Sequence, residues 1–391
     1  MNELRGFSAI KGDRDLKQIT KTSGWFNHYI DGSREVDIGM GGSAFTLGFD
    51  NKEVVSGIEE KMLNVSRCQS NNGNFTEETV EAGKFLCGNV WDTFAWAISG
   101  TSAVEAAISM NDEYWKALGQ HKPKIISFSF AWHGTSYLTK DMGAPFLLGN
   151  HTNRCINIDH PLCLHDEMKV IEEIRSLDLS EVGCIVFDSA TWINGLYGWS
   201  EWWNIKIREI CDDYGILMIT DDVASGWGKS CSYHPYQTFG YGIQPDISAL
   251  GKSLTAGYAP MGAAVCNKKV GDVLRERKAW NYNHTWQPSM MGIYLMLNVK
   301  EYIEKYDLMQ NSLWVHNKLK QFGERLDEQG YIDSYRANGL FMAIDVKEEV
   351  PYVSGLSHSQ GNSKKLRICA PLIADEQYFK DLEEHFYGIF K

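Results

Sequence analysis

A lysine between an apolar run and a glycine-rich turn is the first residue of this sequence that could carry chemistry. Lys252 follows ISAL in the segment PDISALGKSLTAGYAPMGA. An ammonium group at the end of a buried strand is poorly solvated, which lowers its pKa and frees the amine to form a Schiff base. The alternative is a solvated loop lysine, the commoner situation for any single lysine. Lys252 therefore needs support from residues that lie near it.

An aspartate at the end of another apolar run could supply a complementary charge. Asp221 follows ILMIT and precedes Asp222. A carboxylate at the end of a buried strand needs a cationic or hydrogen-bonding partner, and the protonated nitrogen of a pyridine ring would be a fitting one. Such a carboxylate keeps the ring protonated, which makes the ring an electron sink. The alternative is an aspartate that caps a helix or a turn.

Two glycine-containing segments could hold the other parts of a planar, phosphorylated cofactor. SGTS, at residues 99–102, precedes the helical pattern AVEAAISM, and the free N–H groups of a helix start attract phosphate. WHG, at residues 132–134, follows IISFSF, so its aromatic ring could lie flat on a planar cofactor while the glycine lets the backbone approach closely. The alternatives are ordinary helix capping and a tryptophan of the core.

One sheet is predicted to bring these segments together. Short apolar runs alternate with helical patterns from about residue 95 to 270, which indicates a parallel sheet covered by helices on both faces. Ligands of such sheets bind beyond the carboxyl ends of the strands, where Asp188, Asp221 and Lys252 are all expected. The predicted strands are 125–130, 184–187, 216–220, 247–250 and 263–266, and the predicted helices are 102–118, 167–176 and 203–213.

Composition and charge narrow the class of partner. The 391 residues are 43% hydrophobic and 23% charged, which is typical of a folded chain with a large core. The net charge of −12 disfavours nucleic acid and acidic membrane surfaces, so small molecules are the expected ligands. The nine cysteines include no CxxC pair and no His/Cys cluster at zinc spacing, so we expect no metal site and a reducing compartment. Without a long apolar segment we expect a cytoplasmic protein that does not cross a membrane.

The outer segments differ from the middle of the chain. Residues 291–328 have a helical pattern, and YRANGLFMAIDV and KLRICAPLI have the pattern of strands in a smaller α+β region. The predicted domains are residues 1–50 as the N-terminal part of a small domain, 51–285 as a large domain, and 286–391 as the C-terminal part of the small domain. The predicted fold class is α/β, with a mainly parallel central sheet in the large domain.

Six segments, in order along the chain, resemble the motifs of the class III pyridoxal-phosphate-dependent aminotransferases. The resemblance implies the fold type I architecture and the cofactor pyridoxal 5'-phosphate. Within the family, the branch of ω-transaminases and diaminopelargonate synthase is the most similar. The matching segments are SGWFNHYIDGSREVDIGMGG (23–42), SGTSAVEAAISM (99–110), FAWHG (130–134), GILMITDDVASGWGKS (215–230, similar to GILLIxDEVxxGFGRTG), PDISALGKSLTAGYAPMGAAV (245–265) and LRICAPL (366–372).

The resemblance implies a role for each matching residue. Lys252 would form the Schiff base and move the proton, and Asp221 would hold the pyridinium. Trp132 would cover the ring beside His133. The implied cofactor-binding set is Gly100, Thr101, Trp132, His133, Asp188, Asp221, Lys252 and Thr285. Arg367 and Trp25 are the implied substrate-binding residues; Arg367 would grip a carboxylate through paired hydrogen bonds, and its alternative is a surface-strand arginine paired with an acidic residue.

The sequence departs from the family at several positions. Asp188 stands where the family usually has glutamate, and so does Asp222. GGSA, at residues 41–44, replaces the paired tryptophans of diaminopelargonate synthase. The TxxxxP segment that reaches the neighbouring subunit's phosphate is shortened to NYNHTWQPS, which leaves Thr285 or Asn283 for that role. If the role survives, the enzyme is a homodimer with shared active sites.

The function predicted on this basis is amino transfer in two half-reactions. An amine or amino acid donor would displace Lys252 from its Schiff base, and the pyridoxamine phosphate that results would aminate a keto or aldehyde acceptor. The alternatives are an aminomutase or racemase of the same family and a catalytically impaired homologue that only binds the cofactor. A nicotinamide-dependent Rossmann enzyme is disfavoured, because no GxGxxG follows a first strand.

Overall fold

The computed structural model describes residues 18–68, 73–143, 152–278, 282–350, 357–359 and 362–390. The strands are β1 (Ile19–Ser23), β2 (Phe26–Tyr29), β3 (Arg34–Val36), β4 (Thr93–Ala97), β5 (Lys124–Phe128), β6 (Cys155–Ile158), β7 (Val182–Asp188), β8 (Leu217–Asp221), β9 (Ile247–Leu250), β10 (Gly262–Cys266), β11 (Ile332–Asn338), β12 (Phe341–Val346), β13 (Ser357–Ser359) and β14 (Asn362–Cys369). The α-helices are α1 (Met40–Ser43), α2 (Lys52–Val55), α3 (Ile58–Asn64), α4 (Glu77–Cys87), α5 (Gly100–Ala117), α6 (Tyr137–Met142), α7 (Leu164–Ser176), α8 (Glu201–Tyr214), α9 (Lys268–Glu276), α10 (Met290–Lys305), α11 (Leu308–Glu328) and α12 (Glu376–Phe390).

The central sheet has the strand order β4-β10-β9-β8-β7-β5-β6 in the part of the chain that the structure describes. The strands from β9 through β8, β7 and β5 to β6 are parallel, whereas β10 is antiparallel to both β4 and β9. The expected α/β fold with a mainly parallel sheet is therefore confirmed. The segment 263–266 forms the expected strand, but that strand runs antiparallel, because a short apolar run does not encode its direction.

The apolar strands are buried because helices cover both faces of the sheet. Side chains of a strand point alternately to its two faces. Val186 and Ile219 pack with the α5 side of the core, while their neighbours Ile185 and Met218 pack with Trp203 of α8 on the other face. This arrangement explains why these strands show a continuous rather than an alternating apolar pattern. The helices and strands expected between residues 102 and 266 all form, to within three residues of their predicted bounds.

Segments from both ends of the chain share one further core. β1 to β3 form an antiparallel sheet near the N-terminus, and β11, β12, β14 and β13 form another near the C-terminus. Val36 and Ile38 lie in the same buried cluster as Leu366 of β14 and Phe386 of α12. The smaller α+β region built from both ends is thus present, while the domain boundaries at residues 50 and 285 stay predictions.

Two features are absent from the described residues. None of the helices there is long and apolar enough to cross a bilayer. Those residues also contain no group of three or more His, Cys, Asp or Glu side chains placed to hold a metal ion.

Candidate active site

A cavity of about 520 Å³ lies beyond the carboxyl ends of β7, β8 and β9. Asp188 and Asp221 end adjacent parallel strands and are paired in register, and Asp221 is paired with Ala249 on the next strand. The sheet therefore brings the two carboxylates and Lys252 together, as the strand pattern predicted. The cavity is lined by Gly42, Ser99, Gly100, Thr101, Trp132, His133, Gly134, Asp188, Trp192, Ile193, Asp221, Val223, Ala224, Lys252 and Arg367.

Lys252 begins a short 3-10 helix, Lys252–Thr255, directly after β9. Its φ of +42° lies in the left-handed region, which is rare for a residue with a side chain and is a common form of strain at functional sites. Its Nζ donates a hydrogen bond of 3.0 Å to Oγ of Ser43. Desolvation lowers the pKa of Lys252, and the nearby Asp221 carboxylate partly opposes that effect. A lowered pKa raises the fraction of free amine, which is the nucleophilic form.

Asp221 is fixed by two partners. Its Oδ2 lies 2.8 Å from Nδ1 of His133, and its Oδ1 accepts a hydrogen bond of 3.1 Å from the Val223 amide. Burial alone would lower the pKa of His133, but the hydrogen bond and the charge of Asp221 together raise it. The raised pKa favours the protonated form of His133, which then donates from Nδ1 to the buried Asp221 carboxylate at the edge of the cavity.

The N-terminus of α5 forms an anion-binding end of the cavity. Ser99 caps the helix: its Oγ accepts from the Ser102 amide at 3.1 Å, and Oγ of Ser102 accepts in return from the Ser99 amide at 2.9 Å. The first intrahelical bond runs from the Ala103 amide to Ser99. The amides of Gly100 and Thr101 precede the hydrogen-bonded part of the helix and lie at its positive end, where phosphate binds favourably.

The glycines at this end let the side chains that line the cavity pack close to the backbone. A Cβ on Gly134 would lie 2.7 Å from Cγ2 of Thr101, and a Cβ on Gly100 would lie 2.5 Å from Cγ1 of Val223. Gly134 also has a φ of +118°, a conformation open mainly to glycine. Any side chain at either glycine would therefore displace the residues that line the cavity.

Trp132 stands at the edge of the cavity with 45% of its surface exposed. A tryptophan that only filled the core would be more fully buried, as Trp199 and Trp203 are. The exposed indole offers a flat apolar face to a planar ligand.

The two aspartates that replace family glutamates lie in different surroundings. Asp188 lines the cavity, and burial raises its pKa to about 6, to which the like charge of Asp221 contributes. Asp222 is turned into the sheet, where it accepts hydrogen bonds from the hydroxyls of Ser248 and Ser225. Its carboxylate is satisfied inside the protein and does not line the cavity.

Arg367, on β14, is buried at the cavity with only 8% of its surface exposed. Its guanidinium lies 5.1 Å from the ring centroid of Trp192, and Nη1 donates to the Trp192 carbonyl at 3.5 Å. Burial lowers the pKa of Arg367 to about 10, so the side chain is still a cation at neutral pH. The surface-strand alternative does not fit this position.

Three candidate residues, Thr285, Asn283 and Trp25, do not line this cavity. Thr285 and Asn283 are exposed, and Asn283 lines a separate groove with Phe94 and Trp96. The role of either residue at a neighbouring subunit's phosphate stays a prediction. Trp25 packs edge-on against a tyrosine of α12 and donates from Nε1 to an aspartate of that helix at 2.9 Å. The structure does not bring Trp25 to the cavity, so its substrate role stays a prediction without support from the geometry.

Sequence reasoning missed several residues at or behind the cavity. Ser43 accepts the hydrogen bond from Lys252, Gly42 lines the cavity beside it, and Trp192 lies against Arg367. Lys229 is completely buried behind the cavity and donates to the carbonyl oxygen of Ser43. The adjacent glycines of GMGGSA were the available signal, because two successive glycines favour left-handed backbone.

Comparison with known proteins agrees with this geometry. The family profile "Aminotransferase class-III" matches residues 8–378. The chain is 26% identical over 373 residues to an acetylornithine aminotransferase of Aquifex aeolicus, covering 92% of this chain and 93% of that protein. It is 28% identical over 274 residues to an adenosylmethionine-8-amino-7-oxononanoate aminotransferase of Geobacter sulfurreducens, covering 63% and 59%.

Solved structures share the fold. A crystal structure of a transaminase from the marine bacterium Virgibacillus superposes with a TM-score of 0.90 at 18% identity, covering 100% of this chain and 96% of that one. An amine transaminase from an uncultivated Pseudomonas species superposes with a TM-score of 0.86 at 22% identity, covering 99% and 98%. The chain therefore belongs to the class III aminotransferases, the family of pyridoxal-phosphate-dependent enzymes that its motifs resemble.

Proposed function

We propose that this aminotransferase moves an amino group from a primary amine or amino acid to a keto or aldehyde acceptor, with Lys252 as the residue that holds the cofactor covalently. The proposal rests on one observation: Lys252 and the His133–Asp221 pair line the same cavity, at the ends of three neighbouring strands. A desolvated amine opposite a fixed anion is the arrangement that pyridoxal-phosphate chemistry needs.

The residues present fit this cofactor. The amides of Gly100 and Thr101 would bind the phosphate, and Gly134 lets the Thr101 side chain pack close to the backbone there. Trp132 would cover one face of the ring. Asp221 would pair with the ring nitrogen. The bound cofactor supplies an electron sink for the bond that breaks at the donor carbon.

Lys252 is the group that we propose to move the proton. Its lowered pKa raises the fraction of neutral amine, and Ser43 accepts a hydrogen bond from Nζ at 3.0 Å. His133 holds the Asp221 carboxylate in place through the contact between its Nδ1 and Oδ2 of Asp221. Trp132 shields the reacting atoms from water at the open side of the cavity.

Arg367 supports a donor or acceptor that carries a carboxylate. The guanidinium is a buried cation at the cavity, and the Trp192 ring supports one side of it. A carboxylate would fit the forked donors of arginine through two parallel hydrogen bonds. We propose that such a substrate points its carboxylate towards Arg367 and its amino group towards Lys252.

A homodimer and a cytoplasmic setting also belong to the proposal. Asn283 and Gln287 lie on an open groove of about 1050 Å³ whose walls include the exposed ring of Phe75. A second copy seated there would bring its Thr285 or Asn283 segment close to the neighbouring molecule.

All nine cysteines are unpaired, which suits a reducing compartment.

The experiment that tests the proposal is a donor and acceptor screen on the purified holoenzyme. Amines and amino acids are mixed with enzyme and either pyruvate or 2-oxoglutarate, and the aminated acceptor is measured together with the absorbance of the bound cofactor. We expect stoichiometric amino transfer to one acceptor. An aminomutase or racemase would instead convert a single substrate without an acceptor, and that result would contradict the proposal. An enzyme that changes no substrate would show that the cavity has lost its catalytic competence.

A further inference from the structure

The segment that meets Lys252 has an unusual backbone. Met40, Gly41, Gly42 and Ser43 have φ values of 44°, 58°, 69° and 64°, so four successive residues form a left-handed turn. Glycine adopts this conformation freely, but a residue with a Cβ adopts it at a cost, and successive left-handed residues are rare. Such a turn persists only where its surroundings hold it in place.

The first half of the turn is held by Asp37. Its two carboxylate oxygens accept hydrogen bonds from the amides of Gly39 and Gly41, at 3.0 and 3.2 Å. The ring of Phe45 packs against Gly41 and would collide with a Cβ there. These contacts fix the backbone up to Gly41. Beyond it, the Ser43 amide donates to the Gly39 carbonyl at 2.6 Å, which leaves the Ser43 carbonyl to be held by another group.

The second half is held by Lys229. Its Nζ donates to the carbonyl oxygen of Ser43, and its side chain is completely buried. Nζ also lies 5.9 Å from the ring centroid of Phe341. None of the ion pairs between described residues includes Lys229. Burial lowers the pKa of Lys229 to about 7, but both the ammonium and the neutral amine have an N–H that donates to Ser43.

Ser43 thus connects two lysines, Lys229, which is completely buried, and Lys252, which is half-buried at the cavity. Its carbonyl oxygen accepts from Lys229, and its hydroxyl oxygen accepts from Lys252. The carbonyl and the side chain belong to one residue in one strained conformation. A rotation of the Ser43 backbone that broke the first bond would therefore also move the hydroxyl away from Lys252.

We propose that Lys229 is a positioning residue for Lys252: by holding the Ser43 carbonyl it keeps the left-handed turn in the conformation that places the Ser43 hydroxyl on the Lys252 amine. The inference rests on the proposed role of Lys252 as the residue that attaches the cofactor. Lys229 itself does not line the cavity in which the cofactor and the substrate would bind. The family motif GFGRTG has arginine at this place, so a long cationic donor is compatible with the local backbone.

The test measures how fast added pyridoxal phosphate becomes covalently attached in cofactor-free protein, and separately measures kcat and KM of the holoenzyme. Lys229→Met removes the donor and keeps the length of the side chain. Ser43→Ala removes the hydroxyl and keeps the carbonyl. We expect each change to slow attachment and to lower kcat about tenfold with little change in KM, because the amine is misplaced while the substrate contacts remain.

A double-variant cycle shows whether the two residues act through one another. If Lys229 acts through Ser43, the double variant is no slower than the slower single variant, because the same link is already broken. Effects that multiply would overturn the proposal. Lys229→Arg retains a donor and is expected to recover most of the attachment rate.

Lys122 offers a matched control. Its Nζ also donates to backbone carbonyls, those of Gly215 at 2.6 Å and Tyr214 at 3.2 Å, but far from the cavity lining. Lys122→Met is expected to leave the attachment rate unchanged. If Lys229→Met does not fold, Ser43→Ala still tests the proposal. An unchanged rate of cofactor attachment in Ser43→Ala would contradict it. Wild-type enzyme that fails to attach cofactor at Lys252 would instead refute the proposed function.

Discussion

Nδ1 of His133 lies 2.8 Å from Oδ2 of Asp221, in a pair whose side chains are 0% and 5% exposed. A buried carboxylate left without its partner is strongly unfavourable. The pair therefore explains how an anion can be kept at the edge of a desolvated cavity. It also explains why the histidine of the WHG segment matters as much as its tryptophan.

Replacing His133 by phenylalanine should weaken cofactor binding. His133→Phe removes the contact that orients the Asp221 carboxylate towards the ring nitrogen, so we expect the dissociation constant of pyridoxal phosphate to rise about tenfold or more, on the scale of one charge-assisted hydrogen bond of about 1.5 to 3 kcal/mol. The constant is measured by absorbance titration of cofactor-free protein. His160 is the control, because it is also buried but bonds to a backbone carbonyl away from the cavity. Equal weakening in His160→Phe would contradict the assignment.

Replacing Gly134 by alanine should damage the phosphate end of the cavity. The new Cβ would push against Thr101, so we expect cofactor affinity to fall about tenfold or more, with a loss of stability from the positive φ of about 1 kcal/mol. Gly119 also has a positive φ, of 71°, but nothing lies within 4 Å of its Cβ position. Gly119→Ala should share the loss of stability and keep the affinity. Unchanged affinity in Gly134→Ala would remove this segment from the cofactor site.

Ionisation of Asp188 should lower the free energy of unfolding of the cofactor-free protein above pH 6. Its pKa is raised to about 6 from 3.8 by burial, so the folded state prefers the protonated carboxyl and pays for ionisation as the pH rises. Asp188→Asn should therefore stabilise the cofactor-free protein by about 2 kcal/mol above pH 6, allowing for water in the cavity, and by little below pH 4. Denaturant unfolding at both pH values measures the difference. A gain that does not depend on pH would show that ionisation is not its cause.

The contribution of Lys229 to the free energy of unfolding should change with pH in the opposite direction. Its pKa is lowered to about 7 from 10.5 by burial, with a smaller contribution from the Lys252 charge that the nearby Cys369 opposes. The unfolded chain therefore binds an extra proton between pH 7 and 10.5, and the cost of burying Lys229 is full below pH 7 and fades towards pH 10.5. Relative to wild type, Lys229→Met should be more stable at pH 6 than at pH 10 by on the order of 4 kcal/mol. An identical stability difference at both pH values would contradict a desolvated amine.

The strands of the central sheet could be predicted because each strand has its own local sequence pattern. The runs around Asp188, Asp221 and Lys252 are apolar, short and bounded by helical patterns, so both the strands and the edge where they end could be inferred. The direction of β10 could not, since an apolar run of five residues looks alike in parallel and antiparallel pairing.

The rest of the site depends on contacts across long sequence separations. Ser43 and Lys252 are 209 residues apart, and Ser43 and Lys229 are 186 apart. No local sequence pattern predicts that a serine in a left-handed turn will contact two lysines. Trp25 lies inside a matching motif, but its indole packs against the C-terminal helix, so its substrate role stays a prediction that the geometry does not support.

The central claim is that one amine, that of Lys252, holds the cofactor covalently. Reduction of the holoenzyme with borohydride, followed by proteolysis and mass spectrometry, makes that bond permanent and locates it. We predict the pyridoxyl group on the peptide that contains Lys252 in wild-type enzyme, and on no peptide in Lys252→Ala. A modified Lys229 peptide, or an unmodified Lys252 peptide in enzyme that retains its cofactor, would contradict the account.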